Sequence, residues 1–133
     1  MADVLANRQD NATVLYVEDN TENRLLVRRV LVADGFAVLE AGDAQGCLAV
    51  LETHRPDLIL MDINMPEVDG YSLTAQIKAR PGMAAVPIVA MTANVMKGDR
   101  ERSLQAGCDG YIQKPIDVDS LPEQIRAYLG GSR

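Results

Sequence analysis

The sequence is poor in cysteine and histidine. It has two cysteines, Cys47 and Cys108, and one histidine, His54. The cysteines are far apart and lack the spacing of a zinc knuckle or a redox pair, which predicts two small buried thiols in a reducing compartment. His54 lies where a helix is predicted to end, an ordinary position for a side chain that can carry positive charge. A metal site of clustered histidine and cysteine ligands is therefore excluded.

Basic residues are outnumbered by acidic ones. Lysine and arginine together number 13 and aspartate and glutamate 19, which gives a formal net charge of −6. Sequence-independent binding to nucleic acid depends on clustered lysine and arginine that neutralise phosphates. The charge balance therefore predicts no nucleic-acid partner.

A membrane-spanning run and an export leader are also lacking. The longest uncharged stretch, residues 81–96, is too short for a spanning helix and contains two prolines. The first residues have neither a basic leader nor an apolar signal core. We therefore expect a cytoplasmic protein with no membrane contact. Its 133 residues suit one domain, predicted at 12–130 between an N-terminal tail (1–11) and a C-terminal tail (131–133).

Five short apolar runs alternate with helical patterns. The runs, each typical of a strand, cover residues 13–17, 36–40, 57–61, 86–91 and 109–113. Apolar residues at helical spacing follow the first, second and last runs: Leu26, Val27, Val30 and Leu31; Ala44, Cys47, Leu48 and Leu51; Leu121, Ile125, Tyr128 and Leu129.

Helix boundaries can be placed from glycine and from capping residues. Gly35 and Gly107 stand where a helix should end before a strand, and Asp43 and either Asn20 or Thr21 stand where helices should begin. Alternating strands and helices predict the α/β class. We expect a doubly wound (βα)5, flavodoxin-like sandwich with a parallel five-stranded sheet in the order 2-1-3-4-5.

Polar residues follow the strands at one end. Glu18 and Asp19 follow the first run, Asp62 the third, Thr92 the fourth, and Lys114 lies just after the fifth. The carboxyl ends of parallel strands share one edge, and the first and third strands are neighbours where the strand order reverses, which is where such sheets bind ligands. Three carboxylates are thus predicted to converge on one crevice.

Carboxylates crowded in this way require cations. At about 4 Å two of them repel by about 4 kcal/mol at an effective dielectric constant of about 20. A small set of hard oxygen ligands suits Mg²⁺, and Lys114 would supply a second positive charge. An Asp62 oxygen between these two cations faces a pocket suited to a dianion, as expected of a phosphoryl acceptor that attacks phosphorus.

Four separated motifs resemble the receiver domain of two-component response regulators: VEDN (17–20), LILMDINMPEVDGY (58–71), MTAN (91–94) and YIQKPI (111–116). The resemblance covers residues 13–129. Residues 91–116 are most similar to single-domain DivK-type regulators, and receivers of hybrid histidine kinases share much of that stretch. The resemblance implies a CheY-like phosphoacceptor that takes a phosphoryl group from a sensor histidine kinase or a histidine phosphotransfer protein onto Asp62.

The resemblance also implies roles for the other residues of the crevice. The Mg²⁺ ligands would be the carboxylates of Asp19 and Asp62, the backbone carbonyl of Asn64 and, through water, Glu18. The contacts to the phosphoryl oxygens would come from Thr92, the backbone of Ala93 and Lys114. Asn64 and Asn94 match positions that tune hydrolysis of the acyl phosphate, and the Lys114–Pro115 peptide bond is expected to be cis.

A switch is implied as well. Thr92 would move toward the phosphoryl group and Tyr111 would turn inward, changing the surface of the fourth helix, the last strand and the last helix. A downstream regulator or kinase would bind there. The protein would not be an enzyme with external turnover, because it would catalyse only its own phosphorylation and slow dephosphorylation.

Several alternatives compete with this interpretation. A Mg²⁺ phosphatase of the haloacid dehalogenase type also has an aspartate nucleophile at a strand end, but it needs a second aspartate where Asn64 stands. An FMN carrier would need a hydroxyl-rich phosphate loop after the first strand. A pseudo-receiver that binds partners without phosphorylation conflicts with the complete acidic set, whereas a receiver excised from a hybrid histidine kinase would share it.

Overall fold

The computed structural model describes residues 12–66, 69–93 and 99–131. Its strands are β1 (Thr13–Val17), β2 (Ala37–Ala41), β3 (Leu58–Asp62), β4 (Ile88–Thr92) and β5 (Gly110–Gln113). They form one parallel sheet in the order β2-β1-β3-β4-β5, which confirms the predicted doubly wound topology. Residues 1–11 and 132–133 of the predicted tails, and Asn94, lie outside the described residues.

Five helices connect and follow the strands: α1 (Thr21–Ala33), α2 (Ala44–Thr53), α3 (Gly70–Lys78), α4 (Asp99–Ala106) and α5 (Leu121–Gly131). The predicted caps are present. Asn20 accepts from the backbone N–H of Asn23 at 2.8 Å, and Asp43 accepts from that of Gly46 at 2.7 Å. Gly35 and Gly107 follow α1 and α4 with φ of 97° and 106°, a left-handed conformation that disfavours any residue with a Cβ.

The sheet is buried on both faces. Every residue of β3 and β4 is buried, as expected of central strands covered by helices on each side. Cys47 of α2 and Leu73 and Ile77 of α3 pack in the core cluster on one face. Val27 of α1 and Ile125 of α5 pack in the cluster on the other face, with Val14 and Leu60 of the strands.

The prediction that Leu26 belongs to the buried apolar face of α1 is wrong. Val27 and Leu31 are fully buried, but Leu26 is 46% exposed. Leu26 lies about 100° around the helix axis from Val27, outside the arc that the sheet covers.

Both cysteines are buried, as predicted. Burial raises the pKa of Cys47 to about 11, and burial likewise raises the pKa of Cys108. None of the helices in the described part of the chain is long and apolar enough to cross a membrane.

Polar contacts at the amino ends of the strands are structural. Asp57 accepts from the backbone N–H of Thr13 at 2.8 Å, which links β3 to β1. Lys78, at the end of α3, donates to the Val86 carbonyl at 2.7 Å and pairs with Asp109 at 2.8 Å. The three carboxylates of the predicted crevice, Glu18, Asp19 and Asp62, lie at the opposite edge of the sheet.

Candidate functional site

The three carboxylates converge at the carboxyl edge of the sheet, as predicted. Glu18 and Asp19 follow β1, and Asp62 is the last residue of β3. One carboxylate oxygen from each of the three lies within 4.8 Å of the others. Glu18 and Asp62 are buried, whereas Asp19 is exposed. The crevice is thus acidic at its base and open at Asp19.

Two donors contact the same oxygen of Asp62. Oδ1 accepts from the Lys114 ammonium at 2.7 Å and from the backbone N–H of Asn64 at 2.9 Å. Lys114 is carried on the loop after β5, whose Lys114–Pro115 bond is cis, as expected. The Lys114 backbone N–H donates to the Thr92 carbonyl at 2.8 Å, and this hydrogen bond connects the loop after β5 to the end of β4. Oδ2 of Asp62 receives neither donor.

Helix α3 begins very close to Asp62. Asp69 caps its first turn by accepting from the backbone N–H groups of Tyr71 and Ser72 at 3.0 and 3.3 Å. A Cβ at Gly70 would lie 3.2 Å from the Ile63 Cα and 3.3 Å from the Asp62 carbonyl oxygen. The Ile63 side chain would be closer still, with Cδ1 at 2.8 Å, so a larger residue at Gly70 would force the turn after Asp62 to shift.

Glu18 is surrounded by hydrogen-bond donors. The Tyr16 hydroxyl and the Asn23 amide donate to Oε1 at 3.1 and 3.4 Å, and the backbone N–H of Asn20 donates to Oε2 at 3.2 Å. Burial, followed by the neighbouring Asp62, raises the pKa of Glu18 from 4.5 to about 7. Burial and the Glu18 charge also raise the pKa of Tyr16 above its usual value, which keeps its hydroxyl a donor.

The raised pKa of Glu18 predicts a pH dependence of the metal-free protein. Because folding raises this pKa from 4.5 to about 7, the folded state binds the proton more tightly, and the contribution of Glu18 to stability falls as the pH rises through that range. In EDTA, the free energy of unfolding of wild type minus that of Glu18→Gln should fall by on the order of 1 to 3 kcal/mol between about pH 5 and about pH 8. Urea titrations of both proteins at each pH measure this difference in the free energy of unfolding. A difference that does not change with pH would contradict the prediction.

The remaining predicted residues lie on β4, directly after it, and on β5. Thr92 ends β4 and is buried, and the following Ala93 donates its backbone N–H to the Asn64 side-chain oxygen at 2.9 Å. Tyr111 is half-buried in β5, paired with Ala90. The structure therefore brings the loops after β3 and β4 into direct contact.

Arginine near the acidic loop was not anticipated from the sequence. The Arg24 guanidinium donates to the Glu18 carbonyl at 2.6 Å and pairs with Glu40 at 3.3 Å. A Cβ at Gly42 would lie 3.0 Å from Arg24 Nη1, so the small residue leaves room for the arginine. Tyr16 was also missed, although strand alternation places it on the same face as Glu18. No sequence signal indicates the path of Arg24.

The donor set of this crevice fits a magnesium ion. Its ligands would be hard carboxylate oxygens, with Asp19 exposed at the open side where bound waters can remain. Among the described residues, no other three carboxylate, histidine or cysteine side chains lie close enough together to hold one metal ion.

These features define a class of protein, a doubly wound α/β domain with an acidic, lysine-paired crevice at its topological switch point. The family model for the response regulator receiver domain matches residues 14–126. The chain belongs to the response regulator receiver family, whose members work in two-component signalling and generally act as phosphoacceptor switches. Membership confirms the predicted resemblance and implies histidine kinase or phosphotransfer partners.

Individual relatives agree with this assignment. The chain is 43% identical over 118 residues to the polar-differentiation response regulator DivK of Brucella anthropi, covering 89% of this chain and 96% of that protein. The receiver domain of a Pseudomonas aeruginosa sensor histidine kinase, solved with a magnesium ion coordinated in its active-site cleft, is 38% identical, with a TM-score of 0.81 over 90% of this chain and 98% of that one. Chemotaxis protein CheY4 of Vibrio cholerae is 26% identical, with a TM-score of 0.84 over 88% and 98% of the two chains. The phosphatase and FMN-carrier alternatives are not supported.

Proposed function

We propose that this receiver takes a phosphoryl group from a phosphohistidine onto Asp62. The surroundings of the Asp62 carboxylate carry the proposal. Its Oδ1 contacts the Lys114 ammonium at 2.7 Å, and carboxylate oxygens of Glu18 and Asp19 lie within 4.8 Å. A buried acid with a cation on one side and a place for a second cation on the other is suited to accept a dianion.

Mg²⁺ is the second cation in this proposal. Asp19, Asp62 and the backbone carbonyl of Asn64 would hold it, with Glu18 acting through a water molecule. When bound, the ion offsets the charge of the crowded acids and of the incoming phosphoryl oxygens.

The transfer is a displacement at phosphorus. An Asp62 oxygen forms the new bond to phosphorus while the phosphorus–nitrogen bond of the donor phosphohistidine breaks, and the imidazole nitrogen keeps the electron pair. Thr92, the Ala93 backbone N–H and Lys114 contact the phosphoryl oxygens. The hydroxyl, the backbone N–H and the ammonium group of these residues stabilise the negative charge that develops on the phosphoryl oxygens.

The hydrogen bond between Asn64 and Ala93 must change during this step. The Ala93 N–H donates to the Asn64 side chain at 2.9 Å, yet it is also the proposed donor to a phosphoryl oxygen. One N–H cannot make two strong hydrogen bonds in different directions. Phosphorylation therefore releases the Asn64 side chain from Ala93, and the phosphoryl group on Asp62 takes its place as the acceptor for the Ala93 N–H.

Thr92 and Tyr111 form the proposed switch. Tyr111 pairs with Ala90 across β4 and β5, so Thr92 is its diagonal neighbour on the same sheet face. When Thr92 moves toward the phosphoryl group, the small Ala90 side chain leaves room for the tyrosine ring to turn inward. The change reaches the surface of α4, β5 and α5.

That surface is the proposed output site. A sensor histidine kinase or a histidine phosphotransfer protein donates the phosphoryl group, and a downstream regulator or kinase binds α4, β5 and α5 in the cytoplasm. The receiver catalyses only its own phosphorylation and slow dephosphorylation. The 43% identity to a polar-differentiation response regulator supports a regulatory role.

Intact mass measurement after incubation with acetyl phosphate tests the proposal. We expect wild-type protein to gain one phosphoryl group in the presence of Mg²⁺ and none in EDTA, because the crowded carboxylates repel the donor when no metal balances them. Restoring Mg²⁺ after EDTA treatment should restore the gain. Uptake that is equal with and without metal would contradict the proposed site, and steady phosphate release from many phosphoesters would instead indicate a phosphatase.

A further inference from the structure

The Glu18 carboxylate is held from the core side by a tyrosine. Tyr16 is 0% exposed, and its hydroxyl donates to Glu18 Oε1 at 3.1 Å. Its ring packs in the core cluster that contains Val27 of α1 and Ile125 of α5. The packed ring cannot move with the Glu18 carboxylate. The Tyr16 hydroxyl is therefore a fixed donor that favours one position of Oε1.

A second donor approaches the same oxygen from α1. Asn23 Nδ2 lies 3.4 Å from Glu18 Oε1, while the Asn23 backbone N–H donates to the Asn20 cap at 2.8 Å. The cap fixes the backbone of the first turn of α1, from which the exposed Asn23 side chain extends toward Glu18. Oε1 thus has donors from two different elements.

Such support is needed because the acid is a glutamate. Glutamate has one more rotatable bond than aspartate, and ordering the longer side chain costs more conformational entropy. Glu18 is also only 1% exposed, and a buried carboxylate without hydrogen-bond donors is strongly disfavoured. A donor that fixes the rotamer before the metal binds removes part of this cost from the binding step.

We propose that Tyr16 and Asn23 are positioning residues that hold the Glu18 carboxylate in the orientation that serves the metal site. This inference rests on the proposed Mg²⁺ site. It extends that site to residues that do not contact the metal, one in the core and one on α1.

Isothermal titration of Mg²⁺ into the metal-free protein tests the inference without phosphorylation. Tyr16→Phe keeps the ring and removes the hydroxyl, and we expect its Mg²⁺ affinity to fall by about threefold to tenfold, at or below the lower end of the effect of residues that orient direct metal ligands, because Glu18 acts through water. Asn23→Ala should lower the affinity by a smaller factor, because its hydrogen bond is longer. Tyr128→Phe, which removes a hydroxyl beside the same core cluster, should bind like wild type.

A double-mutant cycle separates positioning from a general structural role. In a Glu18→Asp background the shorter acid is beyond the reach of the Tyr16 hydroxyl, so adding Tyr16→Phe should not change the Mg²⁺ affinity further. An equal loss in both backgrounds would overturn the inference, as would wild-type affinity in both Tyr16→Phe and Asn23→Ala. Wild-type protein that binds no Mg²⁺ would instead overturn the proposed function itself, and the inference with it.

Discussion

Asp62→Asn should take up no phosphoryl group from acetyl phosphate and Mg²⁺, whereas wild type gains one. Asparagine keeps the size of the side chain and an oxygen that can accept from Lys114 and from the Asn64 N–H. The amide oxygen is not an effective nucleophile toward phosphorus, however, and it removes one charge from the metal site. Intact mass measurement of both proteins after the same incubation gives the result directly.

Asp57→Asn is the matched control for this substitution. Asp57 lies just before β3, at the opposite end of the strand from Asp62, and accepts from the Thr13 N–H at 2.8 Å. The variant keeps an oxygen for that bond and should be phosphorylated like wild type. Uptake by Asp62→Asn would show that another side chain is the acceptor, and uptake by neither variant would point to an effect on folding.

Lys114→Met should slow phosphorylation by acetyl phosphate about 100-fold. The Lys114 ammonium contacts Asp62 Oδ1 at 2.7 Å, and it is the proposed donor to the transferred group. Removing one preorganised donor to developing charge typically costs about 100- to 1,000-fold in rate. The rate is measured from the time course of the mass change at saturating Mg²⁺.

A second lysine separates this chemical effect from a loss of stability. Lys78 also pairs with an aspartate, Asp109, at 2.8 Å, but it does so at the other edge of the sheet. Lys78→Met should lower the denaturation midpoint in urea and leave the rate of phosphorylation unchanged in the folded protein. A similar rate for Lys114→Met and wild type would remove Lys114 from the transfer step.

Most of the fold could be predicted because local signals and topology agree. The apolar run at residues 13–17 is β1 without any shift, and Gly35 and Gly107 have the left-handed conformation that their positions after helices predict. Leu26 was assigned to the wrong environment because helical spacing alone does not give the width of the buried arc. The sheet covers Val27 and Leu31 and leaves Leu26 46% exposed.

The backbone-determined part of the candidate site was also predictable. Asp62 and the pair Glu18 and Asp19 converge because parallel strands end at one edge, which requires only the strand order. The hydrogen bonds donated by Tyr16 and Arg24, and the one that the Asn64 side chain accepts from the Ala93 backbone N–H, were not predicted. They depend on rotamers and on distances between elements, which a single sequence does not specify.

The buried cysteines make the protein convenient to label. Alkylating reagents react with the thiolate, and burial raises the pKa of both native thiols, that of Cys47 to about 11. A cysteine introduced on the outside of α4, for example at the 58% exposed Leu104, would therefore carry a fluorophore or spin label with little background. We therefore expect the native chain to be a low-background parent for spectroscopic measurements of the α4 surface before and after phosphorylation.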